Sequence, residues 1–285
     1  MFKLRETILC ALAALSVAAG CTRYDFLTDP SLVRFTSSGR DYEVKSTDVT
    51  LSNDDEVGIF AGEPIVAGNV RGVVSGKSII PEKDLYWVDG QQNATRFSAY
   101  CPYSPDVPAE VFSFSVSEDQ TRYSGYEASD LRTASATVDP EEVVNFIFEH
   151  RMSKIILDID SGSHVISDVA VGEVYLTATV NLANGAVSEL SDQGAVHAGL
   201  AVMSAEKRVH VAVFMPETVK LGLVVTADGK KYHFTLEEPQ EFLSGCAYFA
   251  ALKLDDADTP GADVGFSLSV VDWDSGEPLE FVREP

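Results

Sequence analysis

Cysteine is scarce in this sequence of 285 residues, which has only Cys10, Cys21, Cys101 and Cys246. Small secreted proteins that depend on disulfide bridges carry far more cysteine for their length. The first two lie in or beside an N-terminal apolar segment, so Cys101 and Cys246 remain for the folded part. Because free cysteine is among the most buried residue types, we favour two buried thiols, and a single bridge between them stays open.

Basic residues are also few. The sequence has 21 Lys and Arg against 44 Asp and Glu, which gives a net charge of −23 at pH 7. So acidic a surface repels phosphate backbones and argues against nucleic acid as a partner. Beyond residue 20 no apolar run is long enough to cross a bilayer as a helix.

Motifs for catalysis and for cofactors are missing as well. There is no G-x-S-x-G motif, no glycine-rich phosphate loop and no paired-carboxylate signature. Ser153 and Lys154 lack a helix-borne S-x-x-K motif, so we interpret Lys154 as a solvated or capping lysine. The sequence therefore predicts that the protein is not an enzyme and needs no cofactor.

Metal-ligand spacing is absent too. No two of the histidines stand four residues apart, and none has a cysteine pair at ligand spacing: His150, His164, His197, His210 and His233. We expect His150 to form a local hydrogen bond at a strand bend. The acidic run at residues 255–263 lacks the oxygen spacing of a calcium loop, so a solvated loop is favoured there.

The N-terminus has the layout of an export signal. Lys3 and Arg5 precede an apolar stretch at residues 8–19, and residues 18–20 are small and come directly before Cys21. This resembles the lipobox of bacterial lipoproteins, which implies that residues 1–20 are removed and Cys21 is lipidated. Removal takes away two basic residues and one acidic residue and leaves a net charge near −24. An ordinary secretory signal is the alternative, and residues 21–30 read as a tether.

Period-2 alternation of apolar and polar residues dominates the rest of the chain. It is clearest at residues 111–117 and 231–236, and no apolar period of three to four residues lasts beyond about two turns. Many short strands separated by turn residues, such as Asp228-Gly229, predict an all-β protein built from sandwiches.

The pattern also predicts where strands and loops lie. Residues 62–82 read as a long loop with one weak strand, and residues 118–140 as a loop with a short turn near Asp130. Strands are predicted at residues 31–37, 44–51, 57–61, 85–88, 94–100, 111–117, 169–180, 195–201, 208–215, 221–226, 231–236, 247–254 and 264–271.

Residues 141–160 are the stretch around which the chain is organised. Apolar residues alternate on both sides of His150 and Arg151, which predicts two half-buried strands or one bent strand. The length suits two domains, each large enough to bury its own core. We therefore expect an N-terminal β-sandwich at residues 31–140 and a C-terminal β-sandwich at residues 141–285, with residues 141–160 seeding the second core.

Several stretches together resemble the fimbrillin-like (Mfa-like) proteins of Bacteroidetes. The strongest similarity is at Phe148, His150, Ser153 and Lys154, whereas Cys101 departs from the family, which more often has an aromatic residue there. The stretches that carry the resemblance, in chain order, are residues 57–61, 97–103, 129–131, 148–154, 245–248 and 271–273.

This resemblance implies two tandem transthyretin-like β-sandwich domains, exported as a lipoprotein and used in type V pili. In that family an arginine-specific cut near the N-terminus removes the first strand, and a neighbouring subunit donates a strand to the vacated groove. Here the candidate cleavage points are Arg23, Arg34 and Arg40. Arg40 is favoured because it follows the first predicted strand in a glycine-containing turn.

The function predicted from the sequence is therefore a structural fimbrial subunit or fimbria-associated surface lipoprotein that assembles by donor-strand exchange. Its partners would be other copies or related fimbrial subunits and, through lipid, the outer membrane at the cell surface. A role in adhesion, with a glycan or host protein as ligand, is compatible with this prediction. The alternative is a lipid-anchored receptor that does not polymerise and stacks sugars on Trp87, Tyr123 or Tyr126.

Overall fold

The computed structural model describes residues 29–38, 48–49, 51–203, 208–254, 263–271 and 273. Ser31 and the described residues after it form one compact unit. Nearly all of its regular structure is β-strand, so the all-β prediction is confirmed. Among the described residues, no helix combines the length and apolar character that a membrane span requires.

One short helix and 22 strands make up the described fold. The helix is α1, Tyr123–Ser129. The strands, in chain order, are β1 Arg34–Ser37, β2 Asp48–Val49, β3 Glu56–Ala61, β4 Ala67–Ser75, β5 Ser78–Pro81, β6 Thr95–Cys101, β7 Val111–Ser115, β8 Arg132–Val138, β9 Val143–Phe146, β10 Phe148–His150, β11 Ser153–Asp160, β12 Ile166–Asn181, β13 Ala186–His197, β14 Gly199–Met203, β15 Arg208–Phe214, β16 Thr218–Val219, β17 Gly222–Ala227, β18 Lys230–Leu236, β19 Gln240–Glu241, β20 Ala247–Lys253, β21 Asp263–Phe266 and β22 Ser269–Val271.

The first half of the chain builds a nine-stranded sheet with the order β2-β10-β8-β6-β3-β4-β5-β1-β9. One end of the sheet is β9, and β9 is joined through a single residue to β10, the second strand from the other end. Because so short a connection links strands on opposite sides of the sheet, the sheet must curl back on itself. The curl encloses an aromatic core that includes Phe35, Phe97, Phe146 and Phe148.

The second half of the chain builds two further sheets. One has five strands in the order β14-β15-β11-β20-β22, and the other has six, β13-β12-β17-β18-β21 with β7. Alternating apolar residues from both sheets share one buried cluster, including Ile155, Val171, Val211 and Phe234. Two sheets with a common apolar interior are the sandwich arrangement that the alternation predicted.

Three local predictions are wrong. Residues 62–82 hold two strands, β4 and β5. Residues 118–140 hold helix α1 and strand β8, which pairs with β6 along its whole length. Residues 85–88 form no strand, because only Tyr86 pairs, through an isolated bridge to Leu32.

The organising stretch at residues 141–160 serves both cores. It forms three strands, and β9 and β10 belong to the nine-stranded sheet, where Val144, Phe146 and Phe148 are buried. Only β11 enters the five-stranded sheet, where its Ile155 and Leu157 join the second cluster. The expectation that the whole stretch seeds the second core is therefore wrong, while the division into two domains at residue 140 stays a prediction.

Candidate functional site

The first strand, β1, lies inside the nine-stranded sheet. It pairs antiparallel with β5, with Phe35 opposite Ile79, and parallel with β9, with Phe35 opposite Val144. These two neighbours are far from β1 in sequence, so β1 fills a slot that the rest of the chain builds. We call this slot the β1 groove and define it as the space between β5 and β9.

The inner face of β1 is tightly packed. Phe35 of β1 is 3% exposed, and Val33, directly before the strand, is 2% exposed. The Phe35 ring stacks on Phe146 at a centroid distance of 5.9 Å and meets Phe97 edge-on at 5.6 Å. Trp87 packs edge-on against Phe97 at 5.8 Å and extends this aromatic floor of the groove. Burial of two such side chains stabilises β1 in the groove by roughly 1.5–3 kcal/mol each.

The outer face of β1 is polar and only loosely held. Thr36 Oγ1 donates to Asn145 Oδ1 at 3.0 Å, and Asn145 Nδ2 donates to Ser38 Oγ at 2.8 Å. These contacts are exposed, so they contribute little compared with the inner face. The alternation of buried and half-buried residues along Arg34–Ser37 follows directly from the strand's period of two.

Backbone hydrogen bonds hold β1 at both ends. The Val33 N–H donates to the Leu85 carbonyl at 2.9 Å, and the Ser37 N–H donates to the Lys77 carbonyl at 2.8 Å. If β1 left, unpaired backbone groups would line both sides of the groove above an apolar floor. Such an opening is a binding site for another extended segment with apolar residues at alternate positions.

A second buried cluster links the two halves of the chain. His150 is 4% exposed, and its Nδ1 lies 2.6 Å from Asp130 Oδ1. Its ring stacks on Trp273 at a centroid distance of 4.0 Å. Burial lowers the pKa of His150 against the opposing effect of Asp130, so the ring is held neutral and donates from Nδ1. The hydrogen bond expected for His150 is present.

Lys154 belongs to the same cluster. It is 2% exposed, donates a hydrogen bond to the Trp273 carbonyl, and places Nζ 4.6 Å from the centre of the Trp273 ring. The interpretation of Lys154 as a solvated residue is therefore wrong. Its charge is buried, where a backbone carbonyl and an aromatic face compensate it.

The family model for fimbrillin-like proteins matches residues 44–273 of this sequence. This chain belongs to the fimbrillin-like family. The match covers the second buried cluster and every strand of the nine-stranded sheet except β1, which precedes it, and it ends at Trp273. The residues that carry the resemblance most strongly are Phe148, His150, Ser153 and Lys154, and two of them, His150 and Lys154, contact Trp273.

Solved structures support the same fold. A candidate cell adhesion protein from Bacteroides ovatus shares 18% identity with a TM-score of 0.64, over 90% of this chain and 99% of that one. Another from Bacteroides uniformis also shares 18% identity with a TM-score of 0.64, over 86% of this chain and 100% of that one. The tip fimbrial protein Mfa3 from Porphyromonas gingivalis is less similar, with 11% identity and a TM-score of 0.49 over 85% and 100% of the chains. No curated protein matches this chain.

The predicted modification sites of this fimbrillin-like chain fall largely outside the described residues. Cys21, Arg23 and Arg40 lie there, and so does most of the acidic run at residues 255–263. Arg34 is described and lies within β1, paired with Val143. Because β1 is paired with a strand on each side, the backbone around Arg34 is not accessible to a protease, and Arg34 is a poor cleavage site.

The aromatic residues considered for sugar stacking are mostly buried. Trp87 and Tyr126 are 6% and 9% exposed, and only Tyr123 is largely exposed. A stacking platform on Trp87 and Tyr126 is therefore wrong for this structure. Trp87 instead belongs to the aromatic floor beside β1.

The two cysteines of the folded part are free. Cys101 is buried beside Arg132, whose Nη2 lies 3.2 Å from its Sγ, and burial raises the pKa of Cys101 to about 12. Cys246 is only half-buried. The preference for free thiols is confirmed, although complete burial holds for Cys101 alone.

Sequence reasoning found β1 but missed the residues that build its groove. Phe97 and Phe146 appear as ordinary strand residues, and Asn145 as a polar residue of the solvated face. The alternation around each was visible in the sequence. Their convergence on residues 33–37, more than a hundred positions away for Phe146, was not.

Proposed function

We propose that this chain is a fimbrial subunit or fimbria-associated component that assembles by exchanging β1 for a strand of another copy or related subunit. Membership of the fimbrillin-like family supports a fimbrial or adhesive role at the cell surface. The observation that carries the finer proposal is the position of β1 between β5 and β9, with Val33 and Phe35 buried.

The first step is a cut after Arg40. Before the cut, β1 is tethered to the sheet through the following residues, so it rebinds its groove at a high effective concentration. Afterwards β1 belongs to a separate N-terminal fragment and is held only by non-covalent contacts. Its dissociation then depends on concentration, and another segment can compete for the β1 groove.

The second step is donation of a strand. A donor must present apolar side chains at alternate positions to replace Val33 and Phe35, with backbone groups that pair with β5 and β9. A donor surface and an acceptor groove are different parts of one chain, so the contact is heterologous. Repeated contacts of this kind form an open filament rather than a closed ring.

The lipid anchor belongs to the same proposal. A lipidated Cys21 would hold the uncut precursor at the outer membrane, and a cut after Arg40 would leave the lipid on the released fragment. A copy that escapes the cut would stay anchored and could serve as the attachment point of a fimbria.

Treatment with an arginine-specific protease tests this function. We expect mass spectrometry to show a new N-terminus at Asp41 and native gels to show ladders that grow with concentration. The Arg40→Ala variant should resist trimming and stay monomeric, while Arg23→Ala should behave like the unaltered chain. A trimmed protein that remains monomeric at high concentration would contradict the proposal and leave the lipid-anchored receptor as the better account.

A further inference from the structure

Strand β7 has an open side. It pairs only with β12 among the described residues, and no second strand lies along its other border. An edge strand with free backbone donors and acceptors is a pairing site for another extended segment. The β1 groove is a separate site, because β7 belongs to the six-stranded sheet.

The ladder with β12 shows which residues face the open side. The Val116 N–H donates to the Leu176 carbonyl, and the Leu182 N–H donates to the Glu110 carbonyl, both at 2.9 Å. In an antiparallel pair, hydrogen-bonded and non-hydrogen-bonded residues alternate. Phe112 and Phe114 therefore bond to β12, whereas the backbone groups of Ser113 and Ser115 point away from it.

Helix α1 covers the next outward-facing position and then ends. The Ser117 N–H, which lies on the same side as those of Ser113 and Ser115, donates to Ser129 Oγ at 2.9 Å. Ser129 is the last residue of α1. Ser113 and Ser115 line a cleft instead, and α1 contributes its opposite wall through Ser124, Glu127 and Ala128.

The cleft has the size and lining of a binding site. Its volume is about 430 Å³, within the range of roughly 300–1,000 Å³ that is typical of ligand sites. Buried Tyr100, Val107 and Phe112 line it, together with the half-buried Tyr103 and Phe114. An apolar lining beside free backbone groups suits an extended peptide with alternating side chains.

The charge of the cleft favours a basic occupant. Glu127 lines it, and burial raises the pKa of that carboxyl; Asp55 and Asp130 act in the same direction, while Arg132 and a hydrogen bond from Tyr123 only partly oppose the shift. A cationic side chain placed there would relieve this unfavourable environment of the ionised carboxylate. The strongly acidic chain as a whole attracts basic partners from a distance as well.

We propose that the cleft between β7 and α1 binds an extended peptide segment that carries alternating basic and apolar side chains. The segment adds to β7 as a strand through Ser113 and Ser115. Its apolar side chains enter the lining of Tyr100 and Phe112, and a basic side chain pairs with Glu127.

Fluorescence anisotropy with the full, untrimmed chain tests this site while β1 still occupies its own groove. The probe is a fluorescein-labelled hexapeptide of alternating lysine and valine. We expect saturable binding that weakens with salt. The same peptide with N-methyl groups on alternate backbone nitrogens should bind at least about tenfold more weakly, because those nitrogens can no longer donate hydrogen bonds to the backbone of β7. A peptide with glutamate in place of lysine should not bind.

Two variants locate the site. Ser113→Pro removes an outward N–H without touching the β12 ladder, and we expect binding to weaken about tenfold, while Ser113→Ala keeps the donor and should bind normally. Glu127→Gln should weaken binding severalfold and reduce its salt dependence. Circular dichroism checks that each variant is folded, and the N-methylated peptide repeats the test on the unaltered chain.

Equal binding of the plain and N-methylated peptides would overturn the proposal. So would full binding by a folded Ser113→Pro variant, or absence of peptide binding together with saturable binding of a neutral oligosaccharide such as cellohexaose. If the trimmed protein formed no oligomer bands on native gels, this inference would be unaffected, because the β1 groove and the cleft beside β7 lie on different sheets.

Discussion

At the scale of single residues, several charged or polar groups of this chain are buried with defined partners. Lys154 and His150 both contact Trp273, and Arg132 lies beside Cys101 in the first core. Removing one partner of such a pair leaves an uncompensated polar group in a poorly solvated place. Trp273, at the end of the family match, contacts two such buried polar side chains, His150 and Lys154.

His210 gives the protein a pH dependence in mild acid. It is 7% exposed, and burial together with the neighbouring Arg208 lowers its pKa to about 4, although a hydrogen bond with the Ala198 backbone opposes the shift. Between pH 6.5 and pH 4, His210 is therefore protonated in the unfolded chain but neutral in the folded chain. The contribution of neutral His210 to the free energy of unfolding is fully present above the unfolded pKa near 6.5 and is lost as pH falls toward 4.

Replacing His210 with glutamine isolates this effect. We expect the free energy of unfolding of the unaltered chain to fall by up to about 3 kcal/mol more than that of His210→Gln between pH 6.5 and pH 4. Urea unfolding at a series of pH values measures the difference between the two curves, in which the contributions of the other titrating groups cancel. Parallel curves for the two proteins would show that His210 does not titrate in this way.

At the scale of elements, β1 is held mainly by its inner face. Phe35→Ala should lower the free energy of unfolding of the untrimmed chain by about 3–4 kcal/mol, because the cavity lies among Phe97, Phe146 and Ile79. Thr36→Ala, on the outer face of the same strand, is the matched control and should change it by less than about 1 kcal/mol. Urea unfolding measures the free energy of unfolding of both variants. Similar losses for the two would mean that the inner face of β1 is not what mainly holds this strand in the sheet.

The alternation of apolar residues predicted most strands, and its failures have physical causes. In β4, a Cβ at Gly72 would lie 2.8 Å from the Ile79 side chain, so close packing against β5 requires glycine at this position. Glycine is rare inside strands and therefore weakens the sequence pattern that predicts one. Positive φ angles at Val66 and Asn69 interrupt the same region. Strand β8 is rich in small residues and is stabilised by pairing with β6 and β10. These neighbours are distant in sequence, so a local pattern cannot predict the pairing.

The candidate site was predictable only in part. Residues 31–37 look like a strand because Val33 and Phe35 alternate with polar residues, and the structure confirms β1 within this range. That β1 pairs in parallel with residues 143–146 depends on how the sheet curls, which no local pattern encodes. Residues 85–88 show the opposite error, a strand predicted where none forms. Leu85 and Trp87 are buried, as their apolar character predicts, but only an isolated bridge at Tyr86 pairs this segment with another.

At the scale of the whole molecule, the proposed assembly depends on one exchangeable element, strand β1. The nine-stranded sheet curls so that β1 closes the space between β5 and β9, and departure of β1 would remove the strand with which β9 pairs among the described residues. In the proposed exchange, the β1 groove is filled first by the chain's own strand and afterwards by a strand of a neighbouring subunit. The net charge of −23 makes copies of this chain repel one another at long range.

A disulfide that locks β1 in place tests this claim most directly. Thr36 and Asn145 are neighbours on the outer face of β1 and β9, where backbones lie about 4.8 Å apart, a separation that a disulfide spans. The Thr36→Cys, Asn145→Cys double variant is oxidised, trimmed with the arginine-specific protease and run on native gels, with each single variant as a control. We predict that the oxidised protein stays monomeric and forms ladders once a reductant opens the bond. Ladders that form while the disulfide is intact would contradict the exchange of β1.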